Sequence, residues 1–380
     1  MALIGLAIHR ISIYGSVWQT HQEGSEAWLK QSNWVQISTS REDFSQKTNK
    51  ETQIENRAKW SKLIESGIEN GGLLAYHHLV FFSPKGVMTD PSTGKEFSIT
   101  DYDPLARTLY VTPNYLEIQG VPVSPEEKDH LNHLQAGEFG LLLPEKLKGR
   151  EEEMIKRYED YLSPRDDQGN ITLSMKAQVT YIPNHQKRFI YNNTPISYKQ
   201  FFTDPVLVVI QPESFGGYEN PYFTHLNSYL YFNGLQNSKK LVAEYNLEKS
   251  VSQYDYAVDV YQQMAQNIQI ENLMAIAGGV FGIATSVLLF NTMNFLYFEE
   301  FRKQIFLKKI AGLGFVNIHQ TILLSESVLL LLGSFLVFIL TSEWWIALVT
   351  LFLFITNAWF ILLYRSHKED HLLATVLKGA

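Results

Sequence analysis

His130 and His133 stand three residues apart in the segment SPEEKDHLNHL, a spacing that on a helix places two imidazoles on one face. Paired imidazoles of this kind serve as zinc ligands in many proteins. Neither a carboxylate nor a third histidine follows at a ligand spacing. The sequence therefore favours a solvated helix face over a metal site at these two positions.

A second histidine pair, His77-His78, lies inside the run Leu73–Phe82, which predicts a strand. Successive side chains of a strand point to opposite faces, so these two imidazoles cannot share one metal ion. We interpret them as ordinary strand residues. Gly216-Gly217 lacks the surrounding pattern of a phosphate-binding loop and predicts only a turn.

Catalytic chemistry has little support in the sequence. The chain has no cysteine, which excludes disulfides, thiolate catalysis and zinc sites built on cysteine. No nucleophile, base and oxyanion donor can be assembled from the remaining residues. We therefore predict that the protein is not an enzyme and holds no metal or other cofactor of its own.

Three long apolar runs dominate the last third of the chain. Leu273–Phe298 and Trp344–Tyr364 contain no charged residue, and Ile322–Leu340 contains only Glu326. Each run approaches the length of about 20 residues with which a helix crosses the apolar core of a bilayer. The sequence therefore predicts three membrane-spanning helices.

Positive charge predicts the orientation of these spans, because Lys and Arg near span ends remain on the cytoplasmic side. The link Thr341–Glu343 contains no basic residue. We predict that the segment 298–319 and the C-terminal tail are cytoplasmic and that the region before residue 272 faces outward in the cell membrane. The basic residues concerned are Arg302, Lys303, Lys308 and Lys309 in the segment and Arg365, Lys368 and Lys378 in the tail.

The region before the spans has the composition of a mildly acidic globular domain. Up to residue 272 it holds 25 of the 32 Lys and Arg and 33 of the 39 Asp and Glu residues. Without a basic patch, nucleic acid is not an expected partner. Strand-like runs such as Val206–Ile210 alternate with helical segments such as Glu55–Asn70 and Glu145–Leu162. We predict an α+β domain of one body, or of two lobes divided near residues 145–165.

The segments before and after this domain carry further expectations. Residues 2–19 are apolar with aromatics but too short to span, so we interpret them as the outer end of a truncated first span or as an interfacial helix. Tyr254–Asn272 lacks Gly and Pro and predicts one helix that continues through Leu273 as a stalk. Three small residues then either favour close helix packing or merely loosen the helix: Gly278, Gly279 and Gly282.

Two segments carry a family resemblance: FRKQIFLKKIAGLG at residues 301–314 and TILLSESVLLLLG at residues 321–333. Together with the stalk and the third span, they resemble the FtsX/MacB class of ABC-transporter permeases. HRISIYGSVW, LYVTPNYLEI and ATVLKG are similar to the bacteriocin-associated integral membrane proteins of Gram-positive bacteria. The order implied is a membrane or interfacial segment (1–21), an outer α+β domain (22–250), a stalk with the first span (251–298), a cytoplasmic coupling segment (299–319), two further spans (320–341 and 344–364) and a cytoplasmic tail (365–380).

The resemblance implies a permease subunit that couples a separate ATPase to movement of the outer domain. The chain has no GxxxxGK[ST] motif, so ATP would be bound by that partner. A second permease copy or homologous half and a bacteriocin or other amphipathic peptide are the further implied partners, for export or immunity. The alternative is a non-transporting regulator or peptide sensor that acts on a wall hydrolase or kinase.

The resemblance also assigns roles to residues. A stripe of Phe298, Phe301 and Ile305 would dock in a groove of the ATPase, or would lie at the lipid headgroups as a plain amphipathic helix. We expect Glu326 to face protein or the cytoplasmic headgroups, near Lys308 or Lys309, and not lipid. The remaining residues assigned to the coupling segment are Arg302, Lys303, Phe306, Gly312 and Gly314, and Gly333 joins Glu326 among the span-packing positions.

Overall fold

The chain divides into two units in the computed structural model. The globular unit is Val17–Gln266, and the membrane unit is Met1–Ser16 with Asn267–Ala380. An α+β region followed by long apolar helices confirms the predicted fold class. The predicted turn at Gly216-Gly217 lies outside the described residues. The structure describes residues 1–39, 50–78, 86–89, 94, 96–166, 168–191, 200–215 and 229–378, without the side chains of 13–23, 50–54, 57 and 370–378.

The globular unit is organised by one mixed eight-stranded sheet in the order β12-β1-β11-β2-β5-β10-β6-β7. The pairs β5/β10 and β6/β7 are parallel, and the other neighbours in the sheet are antiparallel. The strands are β1 (Trp34–Thr39), β2 (Leu73–Tyr76), β3 (Val87–Thr89), β4 (Glu96–Ser98), β5 (Thr108–Val111), β6 (Glu138–Pro144), β7 (Lys176–Ile182), β8 (Lys187–Phe189), β9 (Phe201–Thr203), β10 (Val206–Val209), β11 (Leu230–Asn233) and β12 (Val251–Tyr256). Two small antiparallel pairs, β3/β4 and β8/β9, stand beside this sheet.

The central strands are buried on both faces, which explains why their sequences are continuous apolar runs. On β10, Leu207 and Val209 belong to one core cluster, whereas Val206 and Val208 belong to the other. Trp28 lies in the first cluster. Helices cover both faces, and the globular unit therefore has a core on each side of its sheet.

Helices alternate with these strands along the chain. Glu145–Arg150 forms a 3-10 helix before α5, so the predicted helix over Glu145–Leu162 is α-helical only in its second part. The helix predicted over Glu55–Asn70 is present and ends before Gly71, whose φ of 84° favours glycine. The helices up to residue 244 are α1 (Ala2–Leu29), α2 (Lys50–Glu69), α3 (Asn114–Ile118), α4 (Pro125–Asn132), α5 (Glu151–Leu162) and α6 (Leu235–Glu244), and the part of α1 up to Ser16 belongs to the membrane unit.

One of the two predicted alternatives for this unit is excluded, and one strand was predicted too long. The strands on either side of α5, β6 and β7, pair with each other in one sheet, so no division into lobes occurs at residues 145–165. The strand predicted over Leu73–Phe82 ends at Tyr76, and His77 and His78 follow it. Hydrophobic periodicity alone did not show where pairing with β5 and β11 stops.

His78 is held between two tyrosine hydroxyls in the core. Its Nδ1 lies 2.8 Å from the Tyr76 hydroxyl, and its Nε2 lies 2.9 Å from the Tyr161 hydroxyl. A neutral imidazole has one donor and one acceptor nitrogen and can therefore satisfy both hydroxyls. Burial lowers the pKa of His78 from its ordinary value of 6.5 to about 4.

The pair His130 and His133 lies at the surface, at the end of α4. His133 is the residue that follows the helix, and its Nδ1 lies 2.8 Å from the Asp129 carbonyl oxygen. Among the described residues no group of three or more His, Cys, Asp or Glu side chains is placed to hold a metal ion.

Four helices follow in the chain: α7 (Ala257–Ile310), α8 (Phe315–Ile318), α9 (Gln320–Thr341) and α10 (Trp344–Lys378). By length and composition α7, α9 and the stretch Trp344–Glu369 are able to cross a membrane. The expected continuous helix through Leu273 is present in α7, which has 54 residues. Its start was predicted too early, because Tyr254 is part of β12 and pairs with Ile37.

We expect the stability of the globular unit to fall as the pH decreases from about 6.5 to about 4. In this pH window His78 is protonated in the unfolded chain and stays neutral in the folded protein. The free energy of unfolding therefore falls by roughly 3 kcal/mol. His78→Gln should remove this part of the pH dependence. Hydrogen exchange of β2 and β5 amides in the detergent-solubilised full chain, corrected for intrinsic rates, measures it. His133→Gln is the control, and an equal slope in His78→Gln and the native chain would contradict the assignment.

Candidate functional site

In the connection between the first two spans, α7 ends at a motif that contains Gly312. The Leu313 N–H donates to the Lys308 carbonyl at 3.2 Å, and the Gly312 N–H donates to the Lys309 carbonyl at 2.9 Å. These two bonds form a Schellman motif, which satisfies carbonyls at the end of α7. Gly312 has a φ of 77°, a conformation that favours glycine. The motif fixes the direction in which the chain leaves α7.

Gly314 has a different role from Gly312. It precedes α8 in an extended conformation, with φ of −72°, and no atom of the described residues lies within 4 Å of the position that a Cβ would occupy. The short helix α8 then ends at His319, whose ring is buried and whose Nδ1 lies 3.1 Å from the Tyr297 hydroxyl. Sequence reasoning did not identify His319.

The predicted docking stripe is mostly internal. Phe298 and Ile305 are buried, and Phe301 is partly buried against the same cluster. The burial of Phe298 and Ile305 disfavours them as docking residues, because α8, α9 and α10 cover this face of α7. The remaining members of the cluster come from α8, α9 and α10 and include Ile318, Ile322, Leu323 and Leu362.

Another apolar surface is exposed at the same place. We call Leu307, Ile310, Leu313 and Val316 the connection surface, and their side chains are 65%, 69%, 43% and 56% exposed. Lys303 is exposed one turn before Leu307 on the same side of α7. The spacing of three residues through 307, 310, 313 and 316 was the sequence signal for this surface.

The basic residues of the connection differ in their surroundings. Arg302 forms ion pairs with Glu299 at 3.1 Å and with Glu369 of α10 at 3.5 Å. The Lys308 ammonium turns inward and donates to the Ile318 carbonyl at 3.5 Å. Phe306 and Lys309 are half-buried. Of the predicted coupling residues, Lys303 therefore presents its charge most openly.

Glu326 faces the interior of the helix bundle, as expected, since only 3% of it is exposed. Its Oε1 has no hydrogen-bond partner among the described residues, and no ion pair with Lys308 or Lys309 is formed there. Asn294 of α7 is equally buried, with Nδ2 donating to the Phe290 carbonyl at 2.8 Å. Glu326 and Asn294 lie at the same level of the helix bundle. One turn away on one side, residues of both helices belong to one apolar cluster, and one turn away on the other side, residues of both helices belong to a second cluster.

Glycine residues of α7 and α9 allow the first part of α1 to pack closely against these two helices. A Cβ on Gly279 would lie 3.1 Å from Ala7 Cβ, and one on Gly282 would lie 3.3 Å from Ile4 Cγ1. Gly333 of α9 is close to Met1 in the same way. Gly278, which was predicted with this group, has no neighbouring atom within 4 Å. The ion pair of Arg10 with Glu271, at 2.7 Å, joins α1 to α7 beyond this contact.

The comparisons with known proteins concern the C-terminal quarter of the chain. A family model described as "Protein of unknown function (DUF1430)" matches residues 280–379. The match takes in most of the apolar part of α7 and the whole of α8, α9 and α10, and the globular unit lies outside it. No curated protein matches the chain significantly.

Gly312 and Gly314 should respond differently to alanine. An alanine at the positive φ of Gly312 costs about 1–2 kcal/mol, whereas the extended Gly314 accepts alanine without strain. We expect Gly312→Ala to lower the thermal unfolding temperature of the detergent-solubilised chain and Gly314→Ala to leave it unchanged or slightly higher. Equal effects of the two substitutions would show that the Schellman motif does not stabilise the connection.

Proposed function

We propose that this chain is the permease subunit of an ABC transporter of the FtsX/MacB type. A separate ATPase supplies ATP hydrolysis, and a second permease copy or a homologous half completes the transporter. The globular unit lies outside the cell, and the connection and the C-terminus of α10 lie in the cytoplasm. The proposed cargo is a bacteriocin or other antimicrobial peptide, which the transporter exports or clears from the membrane.

The observation that carries this proposal is the continuity of α7. The helix begins within the globular unit, contains the first span and ends at the connection without a break. Its 54 residues correspond to a length of about 80 Å. A displacement applied at Ile310 is therefore passed along one helix to the residues that follow β12. The protein can transmit movement in this way without catalytic residues of its own.

The connection surface is the proposed contact with the ATPase. Its apolar side chains stand exposed beside Lys303 at the end of the span. Burial of such side chains in a groove contributes about 25 cal/mol per Å² of apolar area withdrawn from water. Lys303 would meet an acidic rim of that groove and raise the rate of association. This assignment moves the docking side chains from the internal stripe of Phe298 and Ile305 to the opposite side of α7.

The orientation rests on the distribution of charge. Four basic residues lie near the cytoplasmic end of the first span as proposed: Arg302, Lys303, Lys308 and Lys309. The short link between α9 and α10 contains Glu343 and no basic residue. Basic residues near span ends remain cytoplasmic, which supports a cytoplasmic connection and an outward globular unit.

Truncation of the connection surface tests the contact. We expect Leu307→Ala with Ile310→Ala to weaken co-purification with the partner ATPase co-expressed with this chain, by on the order of tenfold for each side chain. Leu329→Ala with Leu336→Ala is the matched control, because these residues of α9 are also apolar and exposed but lie away from the connection. Lys303→Glu should slow association most at low salt.

The same variants separate the two functional classes. Loss of both ATPase binding and peptide resistance in cells, with the control pair unaffected, supports a transporter. Loss of ATPase binding with intact resistance but lost activation of a wall hydrolase or kinase would favour a regulator. Unchanged co-purification of both connection variants would reject the docking assignment.

A further inference from the structure

A cavity of about 210 Å³ lies between the end of α7 and the start of α9. Its walls are partly apolar, with Phe301, Ile305 and Ile322 among them. It is smaller than the pockets of about 300–1,000 Å³ that enclose whole small molecules. The cavity therefore suits one polar group of a larger molecule.

The polar lining of this cavity carries a positive charge. Lys308 is the one charged residue among the described residues that line it, and no carboxylate lines it. The bond from Lys308 Nζ to the Ile318 carbonyl directs the ammonium inward, and Gln304 and Thr321 add an amide and a hydroxyl. This arrangement of cation and neutral donors matches a phosphate oxygen.

The start of α9 adds to the positive potential. His319, which precedes the helix, makes no side-chain capping bond, so the first amides of α9 have no capping side chain. The aligned peptide dipoles of this 22-residue helix place partial positive charge at the same end. Together with Lys308, they make the cavity a site for an anion.

We propose that this cavity binds the phosphate of an anionic phospholipid. Thr321 and Ser325 line it, and Val328 and Leu332 continue the same side of α9 at helical spacing with exposed apolar side chains. A phosphate at Lys308 thus places its acyl chains along an apolar helix surface. Basic sites between membrane helices recognise lipid headgroups by this combination of charge and apolar contact. The bound lipid joins the end of α7 to the start of α9, and the proposal does not depend on the ATPase partner.

The test compares the full chain in nanodiscs of phosphatidylcholine with and without phosphatidylglycerol. We expect phosphatidylglycerol to raise the thermal unfolding temperature and to remain bound in native mass spectrometry. Lys308→Met should weaken this binding by about fivefold, the loss of one lysine–phosphate attraction near a membrane. Lys303→Met is the matched control, because Lys303 does not line the cavity, and it should keep the native response.

A further variant and a further ligand identify which molecule is bound. Lys308→Arg retains the positive charge and should retain most of the response, which also shows that the site tolerates substitution. Inorganic phosphate added to the detergent-solubilised chain should give no comparable stabilisation, because it lacks acyl chains. Equal stabilisation by phosphate or by pure phosphatidylcholine would overturn the lipid assignment. An equal loss in Lys308→Met and Lys303→Met, or no loss in either, would overturn the role of the cavity.

Discussion

A charged side chain at the centre of a bilayer costs about 2.5–3.5 kcal/mol, and an unpaired polar group there also has no water to bond with. This constraint shapes the membrane unit. Three polar side chains of α7 within its apolar run bond to their own backbone: Ser286 to the Ile283 carbonyl, Thr292 to the Leu288 carbonyl and Asn294 to the Phe290 carbonyl. Glu326 is kept inside the bundle. Charged groups collect where the spans end.

The end of α7 consequently has two chemically different sides. One side is covered by α8, α9 and α10 and holds the cavity into which Lys308 points. The other side carries Lys303 and the connection surface, which remain exposed. Lys303 and Lys308, five residues apart in the sequence, therefore lie in different surroundings. In the proposed permease, a lipid phosphate stabilises the inner side while the ATPase binds the outer one, and the Schellman motif at Gly312 holds the angle between α7 and α8.

Local sequence signals predicted the features that depend on composition within one element. The spans and the strand β10 follow from apolar length and β-branched residues. The parallel pairing of β5 with β10 did not follow, because it joins residues about a hundred positions apart and depends on the order of the whole sheet. For the same reason the sequence did not show which side of α7 is buried. Phe298 and Ile305 form an apolar stripe whether the partner is α9 or another protein, and the stripe itself does not identify its partner. Likewise, Gly278 and Gly279 are neighbours in the sequence, and only the position of α1 determines which of them packs against another helix.

The orientation of the connection is the claim on which the permease assignment depends most directly. The native chain has no cysteine, so single cysteines can be introduced without background. Gln236→Cys in the globular unit and Asn317→Cys in α8 both replace exposed or half-exposed polar residues. A membrane-impermeant thiol reagent applied to intact cells should label the cysteine at position 236, and should label the one at position 317 only after the cells are opened. Labelling of position 317 in intact cells with protection of position 236 would contradict the orientation and the proposed coupling to a cytoplasmic ATPase.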